Sequence, residues 1–281
     1  THTNVVSPTF LDEVAMGHHP TIPPHLSHLL YHKREAGVAS GIVNAPDRSF
    51  NPQIDPYLPE EYGPRRHHTI KPKLKKDLQK RLLLKEDPSV PILFWPSRLD
   101  PIQKGCSLLA DILFQLINDY NHLGLQIVMI ADGPYQQHFQ GIVAHHGISD
   151  RIAVQPFSES LSHLGYGGSD FVLMPSSFEP CGLPQMIGCR YGSLPIAHAT
   201  GGLKDTVRHL NIHENTGNGF LFEHFTTDGF RWAIDQAMEF YQLSPDHKNP
   251  QIKRIMEQSK EDFSDERVVA DYQKIYNDLV N

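Results

Sequence analysis

The sequence predicts an α/β fold, a Rossmann-like parallel sheet with helices on both faces. Three observations predict it. From residue 72 onward, short apolar runs alternate with longer stretches of helical apolar spacing. The run Phe171–Met174 ends at Pro175, and a polar turn with one carboxylate, Glu179, leads into Gly182-Leu183-Pro184 at a helix start. Other runs end in similar loops, at Ser97-Arg98, Asp132-Gly133-Pro134, Pro156 and Thr200-Gly201-Gly202. A strand that feeds a helix through a short loop places that loop at the carboxyl edge of a parallel sheet, where such folds bind ligands.

Taken in order, the chain opens Thr-His-Thr-Asn, with no initiator Met and no charged-then-apolar signal pattern, and reads as cut from something longer. Asn4–Val6 reads as a short strand stopped by Ser7-Pro8, and Phe10–Met16 as a helix with Gly17 past its end. A loop rich in Pro and His follows over 18–24. Prolines at 46, 52, 56, 59 and 64 predict a stretch with little regular structure. Then come a helix over 74–84, a strand over 91–95, a helix over 108–123, a strand over 125–131 and a helix over 136–146. Strands follow at 151–155, 171–174, 194–199 and 219–223, with helices at 159–164, 183–191 and 203–209 between them. Amphipathic helices near 228–241, 250–261 and 265–280 close the chain.

Composition limits the function. The 281 residues are 39% hydrophobic and 20% charged, enough for a sizeable core. A net charge of −7 argues against non-specific nucleic-acid or anionic-membrane binding, and no apolar run approaches a bilayer's thickness. The three cysteines, Cys106, Cys181 and Cys189, form no C-x-x-C pair and read as free thiols in a reducing, cytoplasmic setting. The histidine pairs at 18–19, 67–68 and 145–146 lack metal-ligand spacing, so no metal and no cofactor is expected. Ser-Arg-Leu, not G-x-G-x-x-G, follows the first strand of the sheet, so a dinucleotide site fits poorly.

The loops carry the chemistry. A helix start favours an anion, and the carboxylate of Glu179 beside it suggests a ligand with both phosphates and hydroxyls, such as a nucleotide-sugar. Arg98 and Lys104 share one loop and are placed to clamp a diphosphate. Glu179 is placed to bind a sugar hydroxyl or to stabilise a cationic transition state. Phe157 reads equally as a base-stacking ring or as core. Thr200-Gly201-Gly202 would allow close backbone approach.

These residues resemble a known family. S-R-L-(x)4-K-G at 97–105, F-E-P-C-G-L-x-Q at 178–185 and T-G-G-L-x-D-T-V at 200–207 are similar to bacterial glycogen synthase and plant starch synthase. V-S-P-T-F at 6–10, G-I-V-N at 41–44 and N-P-x-x-D-P at 51–56 resemble the same family's central segment. The resemblance implies the C-terminal portion of a two-domain GT-B glycosyltransferase. It divides the chain into a tail of the N-terminal domain (1–40), an interdomain crossover (41–72), a Rossmann-like nucleotide-sugar domain (73–262) and a helix that packs back on the missing domain (263–281). It implies retaining transfer of glucose from ADP-glucose to the non-reducing end of an α-1,4-glucan (glycogen or starch). Arg98 and Lys104 would bind the diphosphate, and Glu179 the donor glucose. The amides of Cys181, Gly182 and Leu183 would approach sugar and phosphates, with Thr200, Gly201 and Gly202 also on the donor side. Phe157 would stack on adenine, and Asn44 would line the acceptor side.

Ile187 stands where the UDP-glucose enzymes of fungi and animals carry a second Glu. The sequence also departs from the family's pattern. Pro184 replaces a usual Thr and removes one amide, G-I-V-N-A-P-D alters the crossover, and Asp265 replaces a common Trp. The family's K-x-G-G-L segment is absent, so the isolated chain is expected to bind ADP or ADP-glucose weakly and to turn over little. The competing expectations are a non-catalytic nucleotide-sugar binding module and a related transferase that uses UDP-glucose.

Overall fold

The computed structural model describes residues 1–19 and 21–280. A small parallel pair, β1 (Thr3–Val5) and β2 (Ala39–Gly41), is joined by α1 (Pro8–Ala15) and α2 (Pro24–Glu35). Ser7 caps α1, accepting a hydrogen bond from the Phe10 amide, and Pro8 opens it. Ser7-Pro8 therefore starts the helix as well as ending the strand. α2 has no counterpart among the expected elements. Ser27 is its one buried residue, so it offers no apolar stripe to read.

The main sheet contains β3 (Ile92–Trp95), β4 (Gln126–Ile130), β5 (Ile152–Gln155), β6 (Phe171–Met174), β7 (Leu194–His198) and β8 (Phe220–Phe222). Their order is β5-β4-β3-β6-β7-β8, and every pairing is parallel. This is the doubly wound Rossmann order. The chain leaves β3 toward one edge and returns to β6 to build the other. The loops after β3 and β6 therefore lie side by side where the strand order reverses, the place at which such folds bind ligands.

Successive side chains on a strand point to opposite faces. Leu93 and Trp95 join one buried cluster with α4 (Cys106–Asp119) and α9 (Thr227–Tyr241), whereas Ile92 and Phe94 join another with α3 (His67–Arg81) and α6 (Glu159–Gly168). Burying each of these large side chains contributes about 1.5–3 kcal/mol. α5 (Gln136–His146), α7 (Pro184–Tyr191), α8 (Gly201–Thr206), α10 (Pro245–Asp262) and α11 (Asp265–Val280) complete the chain.

Several boundaries differ from expectation. α3 begins at His67, so the expected division between residues 72 and 73 falls inside a helix. Ile70, Lys71, Leu74, Lys75 and Leu78 form one buried face of α3, and that packing outweighs the cost of Pro72. Residues 42–66 contain no helix or strand, as the prolines predict. They are nonetheless held to the Rossmann domain: Asp55 is 1% exposed and accepts hydrogen bonds from His163 Nδ1 (2.8 Å) and the Tyr191 hydroxyl (2.5 Å). α8 ends at Thr206 because His209 leaves the helix to bridge Gly219. α11 buries no residue and leaves Val269, Tyr276 and Leu279 exposed.

Candidate functional site

The loops after β3 and β6 are stitched together before they reach the site. The Ser177 amide donates to the Gln103 carbonyl at 2.8 Å, and its hydroxyl to the Ile102 carbonyl at 2.9 Å. Gly105 allows this approach: its φ is +70°, and a Cβ there would lie 1.9 Å from the Pro175 carbonyl oxygen. Lys104 is thereby turned toward the end of β6. Its Nζ donates to Glu179 Oε2 at 2.5 Å, and the Ser176 hydroxyl donates to the same oxygen at 3.0 Å. Lys104 and Glu179 are 9% and 6% exposed. Oε1 of Glu179 accepts no hydrogen bond among the described residues. The pair thus holds a carboxylate in place and leaves one oxygen for a ligand.

The Glu179 loop is fixed along its backbone as well. His198 Nδ1 donates to the Ser176 carbonyl (2.8 Å), the Gly202 amide to the Glu179 carbonyl (2.9 Å) and the Ser7 hydroxyl to the Pro180 carbonyl (2.7 Å). Burial holds His198 below its ordinary pKa, although its contacts with the Ser176 and Glu223 backbones act the other way. The N–H groups of Cys181, Gly182 and Leu183 have no acceptor among the described residues and stand at the head of α7. Pro184 is the first residue of that helix and supplies no N–H. Burial pushes the Cys181 thiol upward, so it is a neutral group and not a nucleophile.

Arg98 is not part of the buried pair. It is exposed, and a terminal guanidinium nitrogen donates to the Gln103 side chain at 3.3 Å. It lines a hollow of about 420 Å³ with Asp100, Gly133, Pro134 and Phe157. Phe157 is 57% exposed, which excludes the core reading and leaves its ring free at the mouth of that hollow. Asn44 is exposed and lines a different hollow, of about 220 Å³, with Asp205, Phe263 and Arg267.

The glycines at 201 and 202 do something other than admit a ligand. A Cβ at Gly201 would lie 2.1 Å from the Glu179 carbonyl oxygen, and one at Gly202 would lie 2.1 Å from that of Cys181. They let α8 press against the Glu179 loop. The Gly201 amide and the Thr200 hydroxyl donate to the carboxylate of Glu13 on α1, at 2.9 and 3.0 Å. Both glycine amides are thus bonded within the protein. Among the described residues, no group of three or more His, Cys, Asp or Glu is placed to hold a metal ion.

Comparison with known proteins assigns the fold that carries this lysine–glutamate pair to a family. The family model for glycosyl transferases group 1 matches residues 75–253. The chain belongs to that family. It is 37% identical over 277 residues to a glycogen synthase of Exiguobacterium sibiricum, covering 96% of this chain and 54% of the relative. It is 34% identical over 281 residues to a glycogen synthase of Desulforamulus reducens, covering 98% and 55%. Among solved structures, the catalytic domain of starch synthase IV from Arabidopsis thaliana, bound to ADP and acarbose, superimposes with a TM-score of 0.85 at 31% identity, covering 98% of this chain and 55% of that one. The chain spans about half the length of the curated relatives it matches.

In this member of the group 1 family, sequence reasoning singled out Lys104 and Glu179 but not Ser176 or Glu13. Ser176 was detectable in principle, as a hydroxyl three residues before the carboxylate. Glu13 was not, because 188 residues separate it from the amide that it holds.

Proposed function

We propose that this chain is the nucleotide-sugar half of a glycogen or starch synthase. The parent enzyme would transfer glucose from ADP-glucose to the non-reducing end of an α-1,4-glucan with retention. The single observation that carries this reading is the buried Lys104–Glu179 pair at the point where the sheet's strand order reverses. The glycogen synthase relatives and the starch synthase structure bound to ADP and acarbose support it.

In this reading Glu179 Oε1 accepts from a hydroxyl of the donor glucose, and Lys104 places positive charge beside the leaving diphosphate. Arg98 adds a second cation at the outer end of the same loop, and Phe157 offers its exposed ring to the adenine. The unpaired amides at 181–183 face the sugar and phosphates. Thr200, Gly201 and Gly202 act by holding the Glu179 loop in position, and Asn44 serves the acceptor side. Glu179 also favours an oxocarbenium-like transition state by its negative charge. No metal is required by these roles. The reading keeps the protein cytoplasmic; no described helix is long and apolar enough to cross a membrane.

Calorimetry with ADP and UDP tests the reading. ADP is expected to bind more tightly than UDP, and Lys104→Ala to weaken it by about 1.5–3 kcal/mol, the value of a hydrogen bond to a charged group. Equal affinity for the two nucleotides, or no loss in the variant, would refute it. Glucose incorporation into glycogen is expected from the complete parent polypeptide and to be negligible from this chain alone, because orienting two substrates needs both walls of the cleft.

A further inference from the structure

A cavity of about 580 Å³ opens at the amino edge of the sheet, away from Lys104 and Glu179. Its wall takes Ser89 just before β3, Asp170 just before β6 and Gly192 just before β7. α3 supplies Lys71 and Lys75, the end of α9 supplies Tyr241, and α10 supplies Lys248. The volume lies in the range of small-molecule sites, roughly 300–1000 Å³.

The charge balance of this wall is uneven. Lys75 Nζ pairs with Asp170 Oδ2 at 2.6 Å. Asp170 is the one carboxylate of the wall. Lys71 and Lys248 have no carboxylate partner among the described residues. Lys71 Nζ is buried and spends its donors on the Gly167 carbonyl (2.9 Å), the Tyr191 carbonyl (3.0 Å) and the Ser193 hydroxyl (2.9 Å). Lys248 Nζ donates to the Tyr241 carbonyl at 2.7 Å and sits 4.3 Å above that ring's centre, which leaves two of its three donors unused. Burial pushes both lysines down, Lys71 to about 7. Asp170 is the one carboxylate whose charge acts on both, and it is already paired with Lys75, so an incoming anion would relieve both.

His67 of the wall adds hydrogen-bonding capacity and no charge. His67 is 3% exposed, and burial holds it down at about 4, so its ring is neutral with Nδ1 donating to the Pro64 carbonyl at 2.7 Å. Its Nε2 has no partner in hydrogen-bonding geometry, although Asn249 of the same wall is near enough to influence it. The remaining surface is largely apolar, with Pro72, Pro88, Phe171, Pro245 and Ile252.

We propose that this cavity is a second ligand site, separate from the Lys104–Glu179 site, for a small organic anion with an apolar body. Its anionic head takes the two spare Lys248 donors and lies in the field of Lys71. Its body packs against the prolines and Ile252. Nothing in the site depends on the glucosyl-transfer reading, since its wall includes none of Arg98, Lys104, Phe157 and Glu179.

Calorimetry of the 281-residue chain with phenyl phosphate, inorganic phosphate and benzyl alcohol tests this. Phenyl phosphate is expected to bind saturably and about tenfold more tightly than inorganic phosphate, with benzyl alcohol weaker still. Lys248→Gln, at a half-exposed position that does not hold the core, is expected to weaken phenyl phosphate about tenfold while the thermal midpoint stays unchanged. Ile252→Trp, which fills the apolar end, is expected to weaken it as well. No saturable heat at millimolar phenyl phosphate, or binding that survives both substitutions, would overturn the proposal.

Discussion

Lys104 and Glu179 are both charged and both buried, so each is tolerable only because of the other. Removing one partner leaves an uncompensated charge, which costs about 3–5 kcal/mol where burial is complete. Lys104→Met is therefore expected to destabilise the chain by about 3 kcal/mol in urea unfolding, and Lys104→Met combined with Glu179→Gln to recover most of that loss. Additive losses would show that the two groups do not depend on each other. The residue types at these positions were legible in the sequence, because a Lys before Gly105 and a Glu between Phe178 and Pro180 stand in loops after apolar runs. The free oxygen of Glu179 was not legible. It depends on Ser176 and Lys104 both choosing Oε2, which is a matter of side-chain geometry.

Among the elements, the strands were the most readable. β6 lies where its apolar run predicts, the ends of the other expected strands move by at most one residue, and β2 was not expected. Helices moved more. α6 continues through Gly165, Gly167 and Gly168, although each Gly costs a helix about 1 kcal/mol relative to Ala. Tertiary packing outweighs that cost: a Cβ at Gly168 would lie 3.1 Å from the Leu74 carbonyl oxygen, so the glycines let α3 come close. The crossover shows the same kind of effect. Its prolines deny it regular structure, and its attachment comes from Asp55, which binds His163 and Tyr191 across 108 and 136 residues. Burial raises the Asp55 pKa, but its hydrogen bonds from His163, Tyr191 and the Tyr57 amide outweigh this and hold it below the ordinary carboxylate value. A carboxylate lowered in the folded state stabilises fully above its unfolded pKa of about 3.9 and loses that contribution as pH falls through the folded value. Asp55→Asn is expected to destabilise the chain by about 3 kcal/mol at neutral pH and to flatten the acid limb of its stability curve below pH about 4. An unchanged acid limb would contradict this role.

At the scale of the whole molecule, the two edges of one sheet differ in character. The carboxyl edge holds a matched ion pair, and the amino edge holds a surplus of buried lysine. Lys71 makes that surplus measurable. Its folded pKa of about 7 lies below the ordinary lysine value, so the unfolded chain binds more protons between those limits. Stability should therefore rise with pH from about 7 to about 10, with Lys71 adding up to about 1.4 kcal/mol per pH unit. Lys71→Met should remove that rise, whatever it does to stability at neutral pH, and an unchanged slope in alkaline melts would show that the group is charged in the folded state. The sequence by itself determined the alternation of strand and helix, the parallel sheet and the loops that carry Arg98, Lys104 and Glu179. All of these follow from local apolar pattern and turn chemistry, which neighbouring residues set. Only the tertiary structure decided that Lys104 and Arg98 part company, that Glu13 takes the Gly201 amide, and that three lysines gather at the opposite edge around one carboxylate. Those outcomes rest on contacts between distant segments, whose energies depend on burial and distance that no local spacing records.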